Sequence, residues 1–389
     1  MNALQNPPAQ HTAEMLLGSD AIAFGVKLCR PEVIAAYPIT PQTHIIETLS
    51  SMVDSGAMAS EYVKVESEMS AIAACFGSVA AGSRSFTATS SHGLALMHEM
   101  LHWFAGSRFP LVMVNANRAL GAPWNIWTDQ SDSLSQRDTG WLQIYCETAQ
   151  EALDTILLSY WLTERIMLPV MVMIDGFILS HTMEQLFVPE QDLVDRFLPA
   201  YEAPYHLDTE NPLSFGAAAT PDNFYTLRKA LAKTMKNVPR EIEAGAARFS
   251  RFFDRSYANL EGYRLEGAEK AIVSSGALTG TVRLAVDRLR EAGEKVGLVK
   301  LRLFRPFPQE ELQDLVQGIP DVLAFSRAVS YGAGGILAQE LRAALYHLDH
   351  RPRIFDVVIS LGGKEVFPET VIDVIRTMDS LSPVNSNWF

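Results

Sequence analysis

Two hydrophobic periods alternate along this chain, and that alternation limits what it can fold into more than any other feature. From about Leu16, short strand-like runs at 33–37, 63–65, 85–88, 111–114 and 170–174 are separated by stretches with helical spacing at 18–29, 69–81 and 94–105. Parallel strands need crossovers of a dozen or more residues, usually a helix, so this rhythm predicts a mostly parallel α/β sheet covered on both faces. At 389 residues the chain exceeds one ordinary core and suits two. A second series starts with a strand at 270–274, a turn between Gly276 and Gly280 and a helix through Leu289; strands at 296–301, 322–326 and 354–358 follow, with another helix starting at 332–335. We therefore expect a first domain at 1–263 and a second at 264–389. Residues 184–263 contain several prolines, a polar loop near 206–211 and a charge-rich helical pattern from Pro221, and read as an excursion followed by a helical connector.

Composition removes several function classes. The net charge is -13, with 32 basic against 45 acidic residues, whereas a nucleic-acid or anionic-membrane surface needs clustered Lys and Arg. No apolar run approaches the eighteen or so residues that span a bilayer, and residues 1–12 lack the succession of a secretory signal, so a cytoplasmic chain is expected. Cys29, Cys75 and Cys146 form no CxxC pair, which points to reduced, buried thiols and to neither a disulfide framework nor an iron-sulfur site in this chain.

Four segments can carry chemistry. In Tyr37-Pro38-Ile39-Thr40-Pro41, two prolines fix the backbone around Thr40 at a strand's carboxyl end, where open α/β sheets bind ligands; capping of the next helix is the equal alternative. In Lys64-Val65-Glu66-Ser67-Glu68, carboxylates precede a helix built almost wholly from small residues, which can approach another backbone closely; plain helix capping also explains them. Thr87-Ala88-Thr89-Ser90-Ser91-His92-Gly93 is a polar strand-to-helix turn able to hold an anion, or one whose Ser90 or Ser91 simply caps the helix. In Asn115-Ala116-Asn117-Arg118, the arginine at a strand's end can clamp a carboxylate through two parallel hydrogen bonds, or can pair with Asp129 or Asp132.

Together these segments resemble the alpha subunit of the pyruvate:ferredoxin oxidoreductase and 2-oxoacid:acceptor oxidoreductase family. The resemblance is nearly chain-long, through YPITP at 37–41, VESEMSAIAAC at 65–75, FTATSSHGLALMHE at 86–99, NRALGAPWNIW at 117–127, IDGFILSHT at 174–182, VKLRLFRPFP at 299–308 and SRAVSYGAGG at 326–335. It implies a thiamine diphosphate pyrimidine-binding domain followed by a transketolase C-terminal-like domain. By the same resemblance, Glu68 matches the carboxylate that holds the aminopyrimidine ring, with Glu66 a second choice, and Thr40 and Arg118 match the residues that bind the 2-oxoacid carboxylate.

The superfamily's GDG stretch with its following Asn is missing, and Asp175-Gly176 belongs to the matching alpha-chain segment. The resemblance thus implies that magnesium and the diphosphate lie on a beta subunit, and the electron relay on iron-sulfur clusters of gamma and ferredoxin-like subunits. The implied reaction is oxidative decarboxylation of a 2-oxoacid, with coenzyme A as acyl acceptor. Pyruvate is the first expectation, and oxalate, phenylglyoxylate or another 2-oxoacid the alternative. A transketolase-type thiamine enzyme and a non-catalytic scaffold subunit are the competing readings.

Overall fold

The computed structural model describes residues 11–389 of the chain. Its first sheet has seven strands, in the order Leu303–Arg305, Leu142–Tyr145, Val170–Asp175, Val112–Asn117, Ser85–Thr89, Val33–Ala36 and Glu61–Lys64. Every neighbouring pair is parallel except the first. The central strands are buried at every position, as strands covered on both faces must be. The register brings Thr89 level with Asn115 and Asn117 level with Asp175, so the segments singled out in the sequence leave the sheet at one shared carboxyl edge.

The second sheet has six strands, in the order Asn387–Trp388, Arg353–Val358, Asp321–Ser326, Lys270–Ser274, Val296–Leu301 and Leu260–Tyr263. All its pairs are parallel except the last. The architecture is the expected α/β one, with two additions that local patterning does not reveal. Leu260–Tyr263 precedes the expected boundary at 263 yet completes the second sheet, while Leu303–Arg305 follows it and crosses back to edge the first. Both are short strands placed by a long-range partner rather than by their own sequence. His11–Leu17 and Met183–Pro189 form a separate antiparallel ribbon that the pattern also left unseen.

The helix expected at 94–105 is two helices, Ser91–Leu96 and His98–Ser107, meeting at Met97. The charge-rich stretch from Pro221 is one helix, Pro221–Phe253, with Pro239 in its interior; the Pro239 carbonyl accepts Asn259 Nδ2 at 3.2 Å. The three cysteines are free and buried, and burial pushes the Cys75 and Cys146 thiols up to about 12 and Cys29 higher still, which leaves all three unreactive. No helix among the described residues is long and apolar enough to cross a membrane.

A seam of buried charge joins the two sheets. Glu151, near the start of the Ala149–Ile166 helix, receives Lys300 Nζ at 2.7 Å and Arg302 Nε at 2.9 Å from the second sheet's side. Glu147 bridges Lys300 and Arg283, both at 2.9 Å. Asp175 receives Arg327 Nη1 at 2.5 Å, Thr128 Oγ1 at 3.0 Å and the Ala277 N–H at 2.6 Å.

Candidate functional site

Glu68 opens the Glu68–Ala80 helix, but it does not cap it. Ser67 does, its Oγ accepting the Ser70 N–H at 3.2 Å. The capping explanation therefore falls to the serine and leaves the Glu68 carboxylate free for another role. Its side chain is only 8% exposed and takes no hydrogen bond from any described residue. Directly against it lies Gly93, where a Cβ would stand 2.6 Å from Glu68 Oε1 and 2.6 Å from Thr89 Oγ1, so a larger residue would displace one or both side chains. Glu66, the second choice, is exposed and receives Ser70 Oγ at 2.5 Å, and that hydrogen bond holds its carboxyl below the ordinary range. It is not part of the buried arrangement. On the outer face of the same helix Ala73 and Gly77 are exposed, so the small-residue stripe stays open to close approach.

The polar turn after Ser85–Thr89 does not work by side-chain capping. Ser90 stands at the N-cap of Ser91–Leu96, yet no side-chain hydrogen bond caps that helix. Instead the hydroxyls of Thr87, Thr89 and Ser90 are buried without partners, an arrangement that costs free energy unless something outside the chain meets them. Ser91 adopts the left-handed conformation, φ 51°, and its Oγ donates to the Ala119 carbonyl at 2.7 Å. His92 Nε2 accepts the Gly121 N–H at 3.1 Å, which fits the plain hydrogen-bonded role rather than a catalytic one.

The structure brings Thr40 and Arg118 together. Arg118 Nη1 donates to the Thr40 carbonyl at 2.9 Å and Nε to the Asn125 carbonyl at 3.2 Å, with the guanidinium over the Trp124 ring at 5.7 Å. The alternative of a salt bridge to Asp129 or Asp132 is not what forms; only the Arg118 main-chain N–H reaches Asp132, at 3.1 Å. Thr40 does not cap the next helix, whose N-cap is Gln42, and its own side chain is exposed. Trp124, against the arginine, and Trp127, packed on the Phe177 ring at 4.9 Å, are 76% and 53% exposed.

Sequence reasoning offered the residue that ties these pieces together only as an ion-pair partner for Arg118. Asp132 is fully buried, and its two oxygens accept five N–H groups at 2.7–3.1 Å, from Ser91, Asn115, Asn117, Arg118 and Ser133. Burial raises its carboxyl to about 6 although the Asn115, Ser91 and Asn117 donors pull the other way. Asn115 and Asn117, two apart on one strand, share a face, and that alternation was the available signal. Asp175, whose oxygens are occupied by Arg327, Thr128 and Ala277, serves the seam rather than a metal.

The family described as "Pyruvate flavodoxin/ferredoxin oxidoreductase, thiamine diP-bdg" matches residues 24–246, and "Pyruvate:ferredoxin oxidoreductase core domain II" matches residues 268–371. Ketoisovalerate oxidoreductase subunit VorA of Pyrococcus horikoshii is 45% identical over 95% of this chain and 94% of its own. Pyruvate synthase subunit PorA of Methanothermobacter thermautotrophicus is 43% identical over 94% and 95%. Among solved structures, the 2-oxoglutarate:ferredoxin oxidoreductase from Magnetococcus marinus superposes with a TM-score of 0.75 at 23% identity, over 94% of this chain and 65% of that longer one. An inactive split-gene transketolase tetramer matches the fold with a TM-score of 0.55 at 12% identity, over 92% and 97%. With one family description covering more than half of the chain and relatives above 40% identity along nearly all of it, the chain belongs to the pyruvate flavodoxin/ferredoxin oxidoreductase family.

Proposed function

We propose that this chain is the alpha subunit of a thiamine diphosphate-dependent 2-oxoacid:acceptor oxidoreductase that converts a 2-oxoacid, coenzyme A and an oxidised acceptor to acyl-CoA, carbon dioxide and reduced acceptor. The carrying observation is the free, nearly buried Glu68 carboxylate held against Gly93 at the sheet edge where Arg118 and Thr40 also meet. The residues present fit the aminopyrimidine end of the cofactor: an unpartnered carboxylate, the partnerless Thr87, Thr89 and Ser90 hydroxyls, and a glycine that keeps the approach open. Bound there, thiamine diphosphate supplies the nucleophilic carbon for the ketone and the electron sink for decarboxylation.

The protein's own contribution is positional and electrostatic. Glu68 would hold the aminopyrimidine ring through a hydrogen bond to its carboxylate. Arg118, held by two carbonyls and stacked on Trp124, presents its remaining N–H groups to the substrate carboxylate, and Thr40, whose carbonyl it grips, is exposed next to it. Orientation is the main gain, because gripping the departing carboxylate too tightly would favour the ground state over the transition state.

Among the described residues no cluster of acidic, His and Cys groups could hold a metal, so the reading places the magnesium and diphosphate site on a beta subunit and the iron-sulfur clusters on gamma and ferredoxin-like subunits. It also places the pyrimidine site in residues 1–263, and the complex in the cytoplasm. Pyruvate is the proposed substrate, supported by the pyruvate synthase relative; the similarly close ketoisovalerate relative supports a branched 2-oxoacid as the second reading. The test is to purify the native complex and assay pyruvate, 2-ketoisovalerate, 2-oxoglutarate, oxalate and phenylglyoxylate with coenzyme A and a viologen dye. Coenzyme A-dependent dye reduction with pyruvate is expected, a preference for 2-ketoisovalerate would select the second reading, and inactivity with all five would overturn both.

A further inference from the structure

We infer that Asp132 is a positioning residue that fixes the substrate-carboxylate half of the site to the cofactor half, an inference that rests on the functional reading above. Its Oδ2 accepts the Ser91 N–H at 2.9 Å, Asn115 Nδ2 at 2.9 Å and the Arg118 N–H at 3.1 Å. Its Oδ1 accepts Asn117 Nδ2 and the Ser133 N–H, both at 2.7 Å. Apart from Ser133, which follows Asp132 on its own short helix, these donors belong to two different parts of the site. Ser91 starts the short helix that carries Gly93, the residue seated against Glu68; Asn115, Asn117 and Arg118 form the end of the strand that aims the guanidinium. A second tie, Ser91 Oγ to the Ala119 carbonyl at 2.7 Å, joins the same two parts. Neither part can shift without breaking hydrogen bonds to one buried carboxylate.

All five donors are N–H groups, so the site needs an acceptor at both oxygens. No cation among the described residues pairs with the carboxylate, and the Arg118 guanidinium is turned away toward the Thr40 and Asn125 carbonyls. An ion pair would have served stability alone, whereas a carboxylate gathering neutral donors from separate segments sets their relative positions. Protonation would turn one oxygen from acceptor into donor against groups that already donate. The titratable and charged groups facing Asp132 are Asp129 on its own segment, the Tyr145 phenol and Arg118 on the strand end. Asp129 adds to the upward shift that burial produces, to about 6.

Asp132→Asn in the complete complex is the test. An amide puts N–H against N–H at one of the two oxygens, so the two halves lose their common register. The expected result is a 2-oxoacid KM and a thiamine diphosphate Kd that both rise, by up to about 100-fold, since small misplacements cost that much. The unaltered complex should show its 2-oxoacid KM rising as pH falls through about 6, and the variant should lack that inflection. A folded, assembled variant whose KM, Kd and pH profile match the unaltered complex would overturn the inference and leave Asp132 a structural residue.

Should Asp132→Asn fail to assemble, the double variant Asn115→Ala, Asn117→Ala keeps the carboxylate and its three main-chain donors. It should raise both constants several-fold, and unchanged constants in it would equally overturn the inference. An unaltered complex that turns over no 2-oxoacid fails the functional reading and this inference together. Unmoved constants in variants of an active complex fail this inference alone.

Discussion

Glu68 and Glu151 begin from the same local circumstances. Each lies in the first turn of a helix, beside a capping hydroxyl residue, Ser67 in one case and Thr148 in the other. Each is nearly buried, at 8% and 2% exposure. Their surroundings then diverge. Glu151 sits in the seam between the sheets, where Lys300 and Arg302 pair with it and the Glu147 N–H donates to it at 2.9 Å. Glu68 sits at the carboxyl edge of the first sheet and takes nothing from the described residues, with three partnerless hydroxyls on the neighbouring strand and turn. Burial without a partner costs several kcal/mol for a carboxylate and about 1–3 kcal/mol for a hydroxyl, so a fold retains such groups where a ligand repays the cost. The contrast separates polarity that joins the molecule from polarity that waits for something to bind.

Neutralising each carboxylate in turn is the sharpest way to break that contrast. Glu68→Gln keeps the shape and removes the charge, and turnover should fall by about 10²- to 10⁴-fold, the range carried by a positioned acid or base. Assembly should be unaffected, because no described residue depends on the carboxylate. Steady-state kcat measured beside the native mass of the complex decides it, and turnover within a few-fold of the unaltered complex would remove Glu68 from the chemistry.

Glu151→Gln should do the reverse. It strands Lys300 and Arg302 in the seam with one carboxylate, Glu147, left nearby, and breaking a buried pair in this way costs about 3–5 kcal/mol. The denaturant midpoint should fall, while the kcat of the folded fraction stays within a few-fold. A loss of kcat without a loss of stability would reverse the assignment of the two glutamates.

The same contrast explains what could be read from the sequence. The placement of Thr40, Glu68 and Arg118 was legible because each follows a strand or opens a helix, and the alternation of periods puts those ends at one edge of a parallel sheet. The strands Lys270–Ser274 and Val296–Leu301 were legible to the residue because each has a short apolar core, 271–273 and 296–299, bounded by polar or glycine-containing turns. Asp132 was read only as an ion-pair partner for Arg118; the Asn115 and Asn117 alternation signals a polar face, but nothing around Asp132 itself marks a carboxylate whose donors lie up to 41 residues away. Leu303–Arg305 was illegible for a related reason, since three residues carry no period and only Leu142–Tyr145 makes them a strand. Local chemistry was visible in the sequence, and long-range satisfaction was not.

Thr89→Val tests the comparison at its smallest scale, by removing one partnerless hydroxyl while keeping nearly the same volume. Thr89 Oγ1 is buried without a partner and lies, with Glu68 Oε1, 2.6 Å from where a Cβ on Gly93 would stand. If that hydroxyl is polarity kept for a ligand, its loss should stabilise the free complex by about 1 kcal/mol, the lower end of what an unmet buried group costs. The same change should raise the Kd for thiamine diphosphate several-fold, because the bound state loses a hydrogen bond that the free state never had. The two effects carry opposite signs, and chemical denaturation together with a cofactor titration separates them. Lower stability with unchanged affinity would instead mean that the hydroxyl is satisfied within the free protein, by ordered water, and that this residue belongs with Glu151 on the structural side of the comparison.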